Sequence, residues 1–501
     1  MKKAWVLFFT SLFVQITPLS YTYASANTTN QYNLPSLGAI AGAELSPSDE
    51  YKLGSSLMHR IRADANYLDD PELHEYLNRI GYQLVSRAQS HTYTFEFFPI
   101  RDDSLNAFAL PGGFIAIHTG TIIHAQSENE LAGVMGHEIG HVTQRHIARM
   151  LEQQKNTLPV TIGSILLALL AARVGGNSAA DATTAILLGG QAALVQSQLA
   201  YSQDAEREAD RIGLQIMHSA GFDVNGMSLF FRRLRAGNRY YESAAPAYLS
   251  THPLTTERIT DAQNRIQQTK VHQHADSIDF LLIQQRARVL QEKNYDGLIK
   301  LEKIMRTEQK GHSGQKAKIH NYALSVLYQK MNQHEKAYQR AQKAYQAFPK
   351  NAFVLRQYIR TLYRSSQDRA VQEKALYLAK QALTQYPLSS MMAQNYVDLL
   401  FDMKKDEELI RFLRSENTAF TSNNPNYHAL LARSYERQGK RSQQYFHTGE
   451  MYALYGAYEA AVYQLNLAQQ ANDADFYVMS QIDARLRRMK EKALEEKQRE
   501  R

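Results

Sequence analysis

The chain has 501 residues, 44% of them hydrophobic and 21% charged, a globular composition that excludes disorder for the bulk and a length that exceeds one core. It contains no cysteine, which excludes a disulfide scaffold, a thiolate metal site and a cysteine nucleophile, so any metal must sit on His, Asp or Glu. Lys+Arg 57 against Asp+Glu 49 gives a net charge of +8, a mild excess that favours anionic surfaces, and no nucleic-acid partner is expected.

Residues 1–26 read as an export signal: Lys2 and Lys3, an apolar stretch from Ala4 to Ile16, and the small-x-small run Ala24-Ser25-Ala26, with cleavage expected after Ala26. The apolar stretch is shorter than the roughly 18 residues that a membrane span needs. Residues 27–46 are polar with scattered Gly and Pro and suit a leader. From 47 to 272 the pattern mixes helical periods with a small sheet; from 273 to 490 it is helical, and 491–501 is a charged tail. The expected fold class is α+β, mainly α.

Tyr93 to Phe97 alternates with period two, and Phe114 to His118 is a second β-like run, with Asn106 to Gly113 between them ending in turn chemistry. An extended ligand is expected to add to a sheet edge near Phe114 to His118. Ser127 and Glu130 form a capping-box pair, so a helix should start there and run toward Met150. The apolar stretches 158–174 and 185–200 are too interrupted to span a bilayer. Two readings stay open for them, a buried helical hairpin and a surface that meets a membrane or a client protein.

In the second part, Phe348-Pro349, Tyr386-Pro387 and Asn424-Pro425 recur 38 residues apart, each expected near the end of a helix. Ala337, Ala341, Ala344 and Ala375, Ala379, Ala382 repeat the same spacing ahead of the first two, and small residues at such steps let paired helices approach closely. The pattern is similar to tetratricopeptide repeats, whose unit is about 34 residues. From Arg485 to Arg501 eight basic residues face four acidic ones, a solvated helix end or a contact with acidic lipid or protein.

His137-Glu138-Ile139-Gly140-His141 carries the chemistry. On a helix its two imidazoles lie one turn apart on one face and can chelate a single cation, with Glu138 beside them as a general base. A catalytic zinc needs a third protein ligand. The steps that would hold Gly and His in the metzincin pattern hold Gln144 and Ile147, so a later acid is required. Glu206-Arg207-Glu208-Ala209-Asp210 offers one. Glu206 is the better ligand, Glu208 the alternative, and Asp210, one turn from Glu206, is placed to accept the second N–H of a ligand histidine. His252, held out of a helix by Pro253, has three open readings: an oxyanion stabiliser, a side chain that fills the open metal position and holds the enzyme inactive, and a structural loop histidine. Arg258 is expected to brace that loop. Asn106 either fixes its turn or touches the substrate, and Tyr201 is an oxyanion candidate. His118, His124 and His146 are read as structural, His146 because five residues past His141 it falls off the ligand face.

Asn106 to Gly113, His137 to His141, Glu206 to Asp210, and His252-Pro253 with Arg258 together resemble the HtpX and CAAX-prenyl-protease type of zinc metallopeptidase. The export signal and helical repeats narrow the resemblance to its periplasmic, BepA-like branch. This resemblance implies a gluzincin fold followed by a repeat solenoid, one zinc on His137, His141 and Glu206, and Glu138 as base. It also implies a periplasmic role in outer-membrane protein quality control, acting on unfolded or misassembled β-barrel proteins such as LptD at the BAM machinery. The alternative is a chaperone or scaffold for outer-membrane protein assembly with little proteolysis.

Overall fold

The computed structural model describes residues 45–88, 92–153, 202–237, 246–269, 273–415 and 424–499. The expected export signal, nearly all of the expected leader, the apolar stretches 158–200 and Tyr201 lie outside the described residues. Among those described, no helix is long and apolar enough to cross a membrane.

The first part holds α1 (Pro47–Ala63), α2 (Pro71–Val85), β1 (Glu96–Ile100), β2 (Ala107–Leu110), β3 (Phe114–His118), α3 (Thr119–His124), α4 (Glu128–Thr143), α5 (His146–Gln153), α6 (Gln203–Ser219), α7 (Asn225–Gly237), α8 (Pro246–Thr251) and α9 (Thr256–Gln267). The capping pair works nearly as expected: Ser127 accepts from the Glu130 amide, while Glu130 reaches back to the amide of Gln126.

The three strands lie in the order β1-β3-β2, with β1 parallel and β2 antiparallel to β3. This corrects two expectations. β1 begins at Glu96, three residues later than the alternating run. β3 is the central strand and has no edge to offer; its run Phe-Ile-Ala-Ile-His is buried throughout, as a strand covered on both faces must be. Gly112 and Gly113, with φ of 81° and 98°, close the β2–β3 turn in a region that side chains resist. The outer edge of β1 is blunted because the Asn78 side-chain amide on α2 both donates to Phe97 O and accepts from Phe97 N. The outer edge of β2 likewise has no strand beside it among the described residues.

The second part is a stack of helical hairpins: α10 (Ile278–Gln291), α11 (Tyr295–Gly311), α12 (Gly314–Lys330), α13 (His334–Ala347), α14 (Ala352–Ser365), α15 (Arg369–Gln385), α16 (Ser390–Asp402), α17 (Asp406–Arg414), α18 (Pro425–Arg437), α19 (Arg441–Leu454), α20 (Tyr458–Gln470) and α21 (Phe476–Arg499). Both alanine triplets are buried, on α13 and α15, so small residues do form the seams between paired helices. Pro349 and Pro387 follow helix ends, but Pro425 opens α18 behind the Asn424 cap, because a proline lacking its N–H is as well placed at a first turn as after a last one.

Helix α2 joins this stack to the sheet. Arg286 of α10 grips Asp70 through two hydrogen bonds of 2.8 and 2.6 Å, Arg286 and Arg356 both meet the buried Glu72, and Glu75 accepts from Ser389 Oγ and the Met391 amide at the start of α16. On its other side Tyr76 donates to Glu128, which also accepts from the amide and hydroxyl of Ser277. The first turn of α4 is thereby tied to the helical stack.

Candidate metal centre

Helix α4 brings His137, Glu138 and His141 into the interior, and α6 crosses it at close range. The crossing is possible because the facing positions are small: a Cβ on Gly140 would lie 2.9 Å from Ala209 O, and one on Gly213 would lie 3.0 Å from the His137 amide nitrogen. Glu206 thus reaches the same point as the two imidazoles. The α8–α9 connection adds a fourth group, His252.

Four donor atoms converge. His141 Nε2 lies 3.0 Å from His137 Nε2, His137 Nε2 lies 3.3 Å from His252 Nδ1, and Glu206 Oε1 lies 3.0 Å from His252 Nδ1 and 3.3 Å from His141 Nε2. All four residues are buried, and their ligand atoms lie within 4.8 Å of one another. Donors about 2.0–2.1 Å from one ion at tetrahedral corners stand about 3.3–3.4 Å apart, so this set fits a zinc ion. Charge agrees. Buried Glu206 and Asp210 share the buried guanidinium of Arg258, and buried Glu138 lies near Glu206, a surplus of negative charge that a divalent cation offsets.

Around the donors, Asp210 Oδ1 lies 2.8 Å from His137 Nδ1, and Arg258 clasps Asp210 with bonds of 2.7 and 2.8 Å. Arg258 Nη1 also reaches Glu206 Oε2 at 2.6 Å and donates to Pro253 O at 2.7 Å, so it does brace the His252 loop. Burial opposes charge on His137, yet Asp210 and Glu206 outweigh it and lift the imidazole to about 10. For His141 burial prevails and the pKa falls well below the ordinary value. Burial disfavours the charged Glu206 carboxylate too, but His252 and the ligand histidines hold its pKa well below the usual range. Glu138 differs. Burial pushes its carboxyl up against the pull of His252 and His137, and among the described residues no side chain donates a hydrogen bond to either of its oxygens; His252 Nε2 stands 3.5 Å from Oε1.

The structure thus brings His137, Glu138, His141, Glu206, Asp210 and His252 together. Glu208 does not join them; it turns to His146 and Arg149 at 3.1 and 2.8 Å. The backbone of Asn106 is fixed by Thr121 Oγ1, while its side-chain oxygen is buried with no partner among the described residues. His118 bonds to Ser104. His146 is outside the donor set, but it touches a ligand candidate: its Nδ1 lies 2.8 Å from Nδ1 of His141. A further unforeseen residue is Tyr248, whose ring stacks on His252 at 4.6 Å and whose buried hydroxyl has no partner among the described residues.

Comparison with known proteins places this geometry. Residues 71–266 match the family model described as Peptidase family M48, a span that contains every residue of the cluster. Beta-barrel assembly-enhancing protease of Escherichia coli (strain K12) is 31% identical over 462 residues, covering 91% of each chain. A relative from Vibrio cholerae serotype O1 is 35% identical over 463 residues, 90% of this chain and 91% of that one. A mitochondrial metalloendopeptidase of Schizosaccharomyces pombe is 28% identical over 196 residues, 39% of this chain and 54% of its own. With the donor set, the buried glutamate beside it and these similarities in hand, the chain belongs to Peptidase family M48 and is a zinc-dependent metalloendopeptidase.

Proposed function

We propose that the chain is a periplasmic endopeptidase that acts on unfolded or misassembled outer-membrane β-barrel proteins, with His137, His141 and Glu206 holding the zinc and Glu138 as the catalytic base. The observation that carries the chemical part is a buried carboxylate, Glu138, beside a four-donor cluster yet bonded to no side chain. A purely structural zinc has no use for it.

Zinc, when bound there, polarises the scissile carbonyl and acidifies a water. Glu138 takes the proton of the attacking water and passes it to the leaving amine; burial tunes its carboxyl upward, which suits both steps. Asp210, itself clamped by Arg258, holds His137 with its Nδ1 turned away from the cluster. An extended substrate adds to the edge of β2. His118 N bonds to Asn106 O, and the alternation of an antiparallel ladder then turns the amide and carbonyl of Ala107 and Ala109 outward. Ala109 lies beside Glu138. Main-chain pairing there binds without reading sequence, and unfolded chains offer such strands.

His252 is the gate. Its Nδ1 stands at the fourth donor position, the corner a catalytic zinc keeps open for water, so this arrangement is the resting one and substrate entry requires the α8–α9 loop to withdraw. The substrate class follows the names of the relatives and the resemblance, which adds LptD and the BAM machinery as partners, a tetratricopeptide-like solenoid at 273–490 as their docking platform, and export with cleavage after Ala26. Digestion of an unfolded β-barrel outer-membrane protein by the purified chain tests the reading. Cleavage should cease with a chelator and return with added zinc. Cleavage that persists in excess chelator contradicts it.

A further inference from the structure

In a continuous helix, residue 146 would be turned about 140° from His141, at roughly 100° per residue. The chain avoids this by breaking the helix: Arg145 adopts a φ of 55°, a left-handed conformation disfavoured for a non-glycine residue. That conformation is held from far away, because Arg145 Nε and Nη2 donate to Glu50 Oε1 at 2.8 and 2.6 Å and Nη2 also reaches Leu45 O. Helix α5 then starts afresh with His146 folded back over His141. Nδ1 of each ring faces the other at 2.8 Å, His146 Nε2 lies 3.1 Å from Glu208 Oε2, and Arg149 holds Glu208 at 2.8 Å. His141, His146 and Glu208 are all buried.

Proton accounting gives this row a direction. His141 turns Nε2 to the donor cluster, so that nitrogen must present a lone pair to a metal and the proton must sit on Nδ1. With both rings neutral, His141 Nδ1–H donates to His146 Nδ1, and His146 Nε2–H donates to Glu208. His137 needs no such relay because Asp210 meets it directly. One helix, α6, therefore supplies three acids with three uses. We propose that His146 and Glu208 are positioning residues that lock the tautomer and ring orientation of His141 and so set the affinity of the site for zinc. This rests on the metal reading given above.

The test is zinc affinity, measured by chelator competition on the full chain, with the melting temperature of the metal-free protein in parallel. His146→Ala should weaken zinc binding about 10–100-fold while the parent binds one equivalent. His146→Asn, whose Oδ1 can accept in place of Nδ1, should restore most of the loss. Glu208→Ala, at the far end of the row, should weaken binding about tenfold and replaces His146→Ala if that variant does not fold. Unchanged affinity in His146→Ala, or equal losses in the Ala and Asn variants, overturns the proposal while leaving the zinc site standing. A parent chain that binds no zinc overturns both.

Discussion

Glu138→Gln should lower kcat against an unfolded polypeptide about 10²–10⁴-fold, the range supplied by a positioned general acid–base group, while the protein still binds one zinc. Glutamine keeps the volume of a side chain that is fully buried in α4 and removes only the ability to take a proton. Because Glu138 is outside the four-donor set, the metal should stay. Steady-state kinetics with metal analysis on the same sample checks this. Parent-like turnover in the variant would show that Glu138 is not the base, whereas a variant without turnover that still fully rescues a null strain would assign the chain to the chaperone or scaffold alternative.

His252→Ala has an expected sign as well as a size. If His252 closes the fourth corner, its removal should raise resting proteolysis about tenfold for each 1.4 kcal/mol by which the closed arrangement is favoured. It should also loosen zinc by removal of one donor. If His252 instead stabilises the oxyanion, the same variant should lose about 10²–10³ in kcat. The geometry favours the first outcome, since Nδ1 stands 3.0 Å from Glu206 Oε1 and 3.3 Å from His137 Nε2, within the donor set itself. Initial rates of parent and variant at equal zinc occupancy distinguish the two.

The donor set was legible because its parts are local. His137 and His141 share one helical face by spacing alone, and Glu206 and Asp210 share another. What brings the two faces together was also written in the sequence, though less plainly: Gly136 and Gly140 on α4 oppose Ala209 and Gly213 on α6, and only small residues permit so close a crossing. The expectation of a ligand edge near Phe114 to His118 fails because β3 is central, and a signal for that existed: the unbroken apolar run Phe114 to Ile117 lacks the polar alternation of an edge strand. His146 had no such signal. Its place depends on Arg145 taking a left-handed conformation, and the partner that holds Arg145 is Glu50, distant in sequence. Pro425 shows the limit of punctuation reading: proline marks a helix boundary but not which side of it the helix lies on.

The most direct measurement is the metal content of the purified chain together with the metal's coordination by X-ray absorption or anomalous diffraction. The account predicts about one zinc per chain, bound by three imidazole nitrogens and one carboxylate oxygen from His137, His141, His252 and Glu206. A chain that carries no zinc when prepared without chelator, or one whose zinc survives the simultaneous replacement of His137 and His141 by alanine, would contradict it.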